Sequence, residues 1–280
     1  MEASEFVKGV STIASLPSVY QRLSQVMNHP RSSAHDIGRV TSEDPGLTAR
    51  LLKLVNSAFF GFPSKIETVT RAVMIVGTEQ LRELSLATSV ISMFKDLPPD
   101  LVDMNSFWKH SLACGVFARV LANRMHESNI ERFFVAGLLH DLGSIVVYLK
   151  KPDDARKILE SSINNEALIH LEEKKHFGFD HAEIGQLLLK EWRLPESLQE
   201  AVGFHHSPDR AIKYPLEATV THIADILANT FQWGSSGETH VAPIHEGAWE
   251  SLKIKTETLT DIVNEAELQF AEVVKIILKE

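Results

Sequence analysis

The 280-residue chain is predicted to be an all-α protein, and three observations carry that prediction. Apolar residues recur at intervals of three and four along most of the sequence, as one face of a helix requires. Residues that cap helices stand in front of these runs. No segment shows the strict apolar and polar alternation of a half-buried strand. The composition, 44% hydrophobic and 23% charged, supplies enough apolar surface for a packed core. The length suggests about two domain-sized units.

Taken in order, Ser15-Leu16-Pro17 opens the first clear helix. Ser33-Ala34-His35-Asp36 has the Ser-x-x-acid form in which side chain and backbone cap each other at a helix start. Asp44-Pro45 places a capping carboxylate before a proline at the first helical position and leads into Leu47, Leu51, Leu54 and Val55, with an end near Ser57. Gly61-Phe62-Pro63 marks a loop, and two helices follow, Val69 to Val76 and Glu79 to Phe94, broken at Gly77-Thr78. Phe59 and Phe60 read either as core or as exposed aromatics for a partner. The run Asp96-Leu97-Pro98-Pro99-Asp100 is hostile to helix and marks a lobe boundary. The expected organisation is therefore a helical lobe over 1–97, a second lobe over 98–234, and a loop with an amphipathic helix over 235–280 packed on the core.

Helices resume from Phe107, where the spacing of Ala113, Cys114, Phe117 and Leu121 puts His110 on the buried side. Val135 to Leu139 carries the next helix into His140-Asp141, and Gly143 permits a turn after it. Trp233-Gly234-Ser235-Ser236-Gly237 reads as a surface loop. The last helix aligns Ile262, Ala266, Phe270, Val273 and Ile277 on one face, with Thr258 and Asp261 as its cap.

Charge narrows the function. A net charge of −9 argues against general binding to nucleic acid, which draws its affinity from clustered Lys and Arg. Val73 to Leu84 has the helix, turn and helix order of some DNA-binding units, but its second helix offers Arg82 as its base beside Glu79 and Glu83. The single cysteine, Cys114, excludes an internal disulfide and a thiolate metal cage and fits a reducing cytoplasm. The start lacks a basic stretch followed by an apolar run, and apolar runs such as Ile145 to Leu149 fall short of the roughly 20 residues that span a bilayer. A cytoplasmic protein with no membrane partner is expected.

The chemistry lies in the second half, where His110, His140-Asp141, His181, His205-His206 and Asp225 stand in or beside apolar helices. Imidazole nitrogen and carboxylate oxygen without thiolate suit Fe, Mn, Zn or Ni rather than soft copper. Each residue also has a plainer role. His181, followed by Ile184, Leu188 and Trp192, could be a hydrogen-bonded core histidine. Asp225, among Thr221, Ala224 and Ala228, must meet a cation, a donor or solvent. His205-His206 before Ser207-Pro208 could be a polar helix end.

His110, His140-Asp141 and Asp225 resemble the H…HD…D pattern of the HD superfamily of metal-dependent phosphohydrolases. His181 in Asp180-His181-Ala182-Glu183-Ile184-Gly185, with the His205-His206 pair, resembles the members that hold two metals, the HD-GYP phosphodiesterases among them. The first half is similar to HDOD domains: Leu16-Pro17-Ser18, Asp44-Pro45-Gly46-Leu47-Thr48-Ala49-Arg50-Leu51-Leu52, Val55-Asn56-Ser57-Ala58-Phe59-Phe60-Gly61, Ile66-Glu67-Thr68-Val69-Thr70-Arg71-Ala72 and Val76-Gly77 carry the likeness. The resemblance runs from about Ile13 to about Leu227 and implies an HD-type helical bundle with an N-terminal helical lobe. It implies one ion on His110, His140, Asp141 and Asp225, with Asp141 bridging to a second on His181, His205 and His206. It also implies a signalling or regulatory role with a protein partner.

Two departures bear on catalysis. Hydrolytic relatives place a lysine where this chain has Ser144, and the cation that would offset charge on transferred phosphate oxygens is missing there. After His205-His206 comes Ser207-Pro208-Asp209-Arg210 rather than the Gly-Tyr-Pro loop. Ser106 stands where some relatives have a further carboxylate, which favours at most two metals. The alternative is a hydrolase acting on a phosphate-containing small molecule, with Asp141 catalytic and Arg119, Lys150, Lys151 or Arg210 in place of the lysine.

Overall fold

The computed structural model describes residues 2–8, 16–94 and 101–278, and every regular element among them is helical. The break expected over Asp96 to Asp100 and the Ser15 start of the first helix lie outside the described residues. The chain divides into two compact units, Met1–Ser15 with Leu97–Val263 and Leu16–Asp96 with Asn264–Glu280. This differs from the sequence expectation at both ends: the opening residues join the later unit, and most of the last helix joins the earlier one.

A short helix, α1 (Ala3–Val7), belongs to the first of these units. The second unit holds α2 (Ser18–Asn28), α3 (Ala34–Thr41), α4 (Pro45–Val55), α5 (Val69–Val76) and α6 (Thr78–Met93). Its helix starts follow the sequence. Ser33 and Asp36 form the reciprocal cap of α3, with Ser33 N donating to Asp36 Oδ2 at 3.0 Å. Asp44 Oδ1 accepts from Leu47 N at 2.9 Å, ahead of Pro45. Asn56 then ends α4 by satisfying backbone groups on both sides of the following loop: its Nδ2 donates to Leu52 O and Ile66 O, and its Oδ1 accepts from Ile66 N. Phe59 is core and Phe60 half-buried, stacked on Phe62.

The first unit carries α7 (Met104–Arg124), α8 (Ile130–Leu139), α9 (Leu142–Lys150), α10 (Pro152–Asn165), α11 (Ile169–Phe177), α12 (His181–Glu191), α13 (Glu196–Gly203), α14 (Pro215–Phe231) and α15 (Ala248–Ser251). Helix α7 starts one turn before the expected Phe107, because Asp103 accepts from Asn105 N and Ser106 N. Helices α7, α8 and α14 pack on one another around Cys114, Phe117, Phe133 and Val220, all fully buried. Phe6 of α1 meets the edges of Phe177 and Phe179.

The stretch Ile130–Lys150 is, contrary to the sequence expectation, long and apolar enough to cross a bilayer, with mean hydropathy 1.5. Its window is 83% buried inside the protein and is broken by His140-Asp141 between α8 and α9, so it is core. The final helix, α16 (Leu259–Ile277), buries Ile262, Ala266, Val273 and Ile277, and the division between units falls within it. Before it, Thr258 Oγ1 donates back to Lys255 O at 2.7 Å.

Candidate metal centre

All seven site residues named from the sequence come together in the first unit, on side chains from α7, α12, α14 and the ends of α8 and α13. His110 Nε2 lies 3.2 Å from Asp225 Oδ1 and 3.6 Å from Asp141 Oδ2. His140 Nε2 lies 3.2 Å from Asp141 Oδ2 and 3.4 Å from Asp225 Oδ1. The other oxygen of Asp141, Oδ1, faces His181 Nε2 at 3.1 Å and His205 Nε2 at 3.9 Å. His206 Nε2 is 2.9 Å from His181 Nε2. Three overlapping groups result, each with ligand atoms close enough to share an ion: His110, His140 and Asp225; His140, Asp141 and His205; and His181, His205 and His206.

The outer ring nitrogens explain why the inner ones converge. His140 Nδ1 is 2.7 Å from Gly137 O, His205 Nδ1 is 2.7 Å from Val202 O, and His181 Nδ1 is 2.7 Å from Glu173 Oε2. Such a partner fixes the ring and its tautomer and leaves Nε2 as the inward lone pair. Glu173, nearly fully buried, also accepts from His181 N, so one carboxylate holds both the ring and the first residue of α12. Asn229 Nδ2 donates to Asp225 Oδ1 at 2.8 Å. His170 stacks on His206, ring centroids 3.9 Å apart. His222 Nδ1 lies 2.7 Å from His205 O.

The sequence reading missed these supporting groups. Asn229 follows Asp225 by one helical turn, so spacing could have found it. Glu173 and His170 come from a different helix and carry no comparable signal.

The approach of α9 to α12 depends on Gly143. It is not a turn residue, as the sequence suggested, but lies inside α9, where a Cβ would sit 1.9 Å from His181 O and 2.8 Å from Gly185 N. With no side chain there, Asp141 and His181 can face each other.

Electrostatics divide the cluster. Burial alone would raise the pKa of Asp141, but His140 and His181 outweigh it and hold the carboxyl well below its usual range. Asp225 is lowered in the same way, by its hydrogen bonds to His110 and His140. Burial opposes charge on His140 and His181, yet Asp141 raises the first, and Glu173 together with Asp141 raises the second, well above the ordinary imidazole range. His205 is pushed down to about 3 by burial and then by His140 and His181. His206 is lowered by burial and by His205. Without an ion these neighbours favour the protonated ring at His140 and His181.

A cavity of about 20 Å³ reaches the cluster, touching Asp141, Asp225, His181, His206, Ser144 and Tyr148. No lysine or arginine lines it among the described residues. Arg119 is buried 3.5 Å from Glu131, Lys150 donates to Lys8 O, and Arg210 lies over the Phe204 ring. Lys151 precedes α10 and is likewise absent from the cavity wall.

The segment expected as a surface loop is packed against this cavity. Ser235 N donates to Ser106 Oγ and Ser106 O, and Tyr148 Oη donates to Ser236 O at 2.8 Å. Gly234 has φ +104°, and a Cβ there would lie 2.4 Å from His110 N. Ser106 is thus occupied in holding the loop.

Comparison with known proteins agrees with the fold. Residues 13–208 match the HDOD domain family model. An uncharacterized protein of Treponema pallidum (strain Nichols) is 28% identical over 258 residues, which is 91% of this chain and 49% of that protein. The chain thus spans about half the length of that relative. An HDOD domain protein of unknown function from Geobacter sulfurreducens superposes with TM-score 0.79 at 24% identity, over 98% of this chain and 95% of that one. A candidate phosphohydrolase from Shewanella amazonensis superposes with TM-score 0.76 at 25% identity, over 97% of each chain.

Proposed function

Because the chain belongs to the HDOD domain family, we propose that it is a signal-transduction module whose histidine and aspartate cluster holds one or two transition-metal ions and hydrolyses phosphoesters weakly or not at all. The observation that carries the metal is His205 Nε2, a fully buried nitrogen with no hydrogen-bond partner, turned inward because Nδ1 faces Val202 O. A buried polar atom without a partner costs about 1–3 kcal/mol, and a metal ion would offset it. His181 and His206 present Nε2 atoms to each other at 2.9 Å, a second convergence that suits a shared ion. His110, His140, Asp141 and Asp225 would hold one ion and His181, His205 and His206 the other, with Asp141 offering one oxygen to each set. The all-nitrogen and oxygen donor set suits Fe, Mn, Zn or Ni.

A bound ion would supply Lewis acidity and lower the pKa of water. The chain's own groups add little for phosphoryl transfer. Ser144, where hydrolytic relatives carry lysine, is buried and tied by its backbone N to Asp141 O, and no cationic side chain replaces it in the cavity wall. Hydrolysis is the second reading, favoured by the likeness to the Shewanella amazonensis protein. A panel of phosphodiester and nucleotide substrates with metal-loaded protein separates the two. The regulatory reading predicts turnover at or little above that of buffer, whereas robust turnover that disappears in Asp141→Ala would establish a hydrolase. In the regulatory reading the output passes to a protein partner.

A further inference from the structure

Resting on the metal reading above, we propose that residues 233–242 roof the centre so closely that it takes ligands of about the size of water and excludes phosphorylated substrates. Size comes first. The inner cavity of about 20 Å³ has room for roughly one water, which needs about 10–15 Å³ by the same kind of measure. A phosphoryl group, with oxygens arrayed around phosphorus, is several times larger. The wall carries the carboxylates of Asp141, Asp225 and Glu238 and, among the described residues, no lysine or arginine, so no side chain of that kind stands ready to bind a phosphoryl oxygen.

The roof is a built element. Ser235 is tied to Ser106, Tyr148 Oη to Ser236 O, and Glu238 Oε2 accepts from Ile169 N at 2.8 Å. The other oxygen of Glu238 accepts from Thr239 N and His240 N, so a single carboxylate folds the segment and pins it to α11. Gly234 leaves no space for even a methyl group between the roof and α7. Beyond the roof lies an outer polar recess of about 610 Å³, and Asn229, Glu238 and His240 line both spaces. Asn229, which donates to Asp225, stands in the shared wall, so a water-sized molecule crossing from the recess meets the cluster beside it.

The test uses the full chain loaded with manganese(II), whose paramagnetism speeds nuclear relaxation of any molecule exchanging at the site. Solvent water protons and the phosphorus of added inorganic phosphate are followed in the same sample, with metal content measured alongside. The proposal predicts enhanced water relaxation and phosphorus relaxation unchanged from the metal-free control. It further predicts that Tyr148→Phe or Glu238→Gln, each loosening a different anchor, brings phosphorus relaxation above that control; two variants guard against one failing to fold. Enhanced phosphorus relaxation in the unaltered chain would overturn the roof, as would the absence of any water enhancement. A chain that takes up no metal overturns the metal reading and this one together, and the metal analysis distinguishes that result from the other two.

Discussion

Asp141 is the residue on which the cluster turns, because its two oxygens face different histidine sets, Oδ2 toward His110 and His140 and Oδ1 toward His181 and His205. Its role was legible in the sequence only through its place beside His140 and the order of the other ligands; no spacing rule shows that four helices will converge on one carboxylate. Glu173 was not legible at all. It acts through His181, and its replacement tests whether that support matters. Glu173→Gln is expected to weaken metal affinity by about 10-fold or more, the usual range for an outer partner of a ligating histidine, with the fold retained by circular dichroism. Unchanged affinity would make Glu173 merely a helix-end acceptor.

The pKa shifts give a second prediction at this scale. His140 and His181 are raised, so their contribution to the stability of the metal-free protein is complete below about pH 6.5 and is lost as pH rises through their folded values. Asp141 and Asp225 are lowered, so theirs is present above about pH 3.8 and is lost as pH falls through their folded values. His205, lowered to about 3, works against stability increasingly as pH falls below about 6.5, where the unfolded chain takes up a proton that the folded one refuses. Metal must displace the protons of His140 and His181. Affinity measured between pH 6 and pH 8 should therefore rise with pH, by up to about tenfold per unit for each proton released. A flat profile would contradict the assignment of protons to these two rings.

At the scale of elements, cap chemistry was the most readable part of the sequence. Ser33 with Asp36 and Asp44 with Pro45 start α3 and α4 where local rules put them, because these signals act within one turn of the chain. Asp103 starts α7 a turn ahead of the apolar pattern, which begins only at Phe107, so periodicity alone places the start too late. The 233–237 segment misled for a related reason: its glycines and serines read as solvent loop, yet Gly234 is small so that the loop can rest on the α7 backbone. Gly143 likewise has the local look of a turn residue and serves as a close-approach residue between α9 and α12. Gly143→Ala forces those helices apart, and overpacking of this kind costs about 1–3 kcal/mol. Chemical denaturation should show that loss, accompanied by reduced metal uptake as Asp141 moves from His181. An alanine variant as stable and as metal-replete as the parent would refute the close-packing account.

Over the whole molecule, the helical class followed from periodicity, and the family from motifs in both halves. The division into units did not follow, since which unit an end of the chain joins is decided by contacts far apart in sequence.

Metal binding is central to the proposed role, and elemental analysis of the protein purified after metal-replete expression tests it most directly. It predicts one to two equivalents of Fe, Mn, Zn or Ni per chain, falling in Asp141→Ala. Protein that is folded and free of these metals would contradict it.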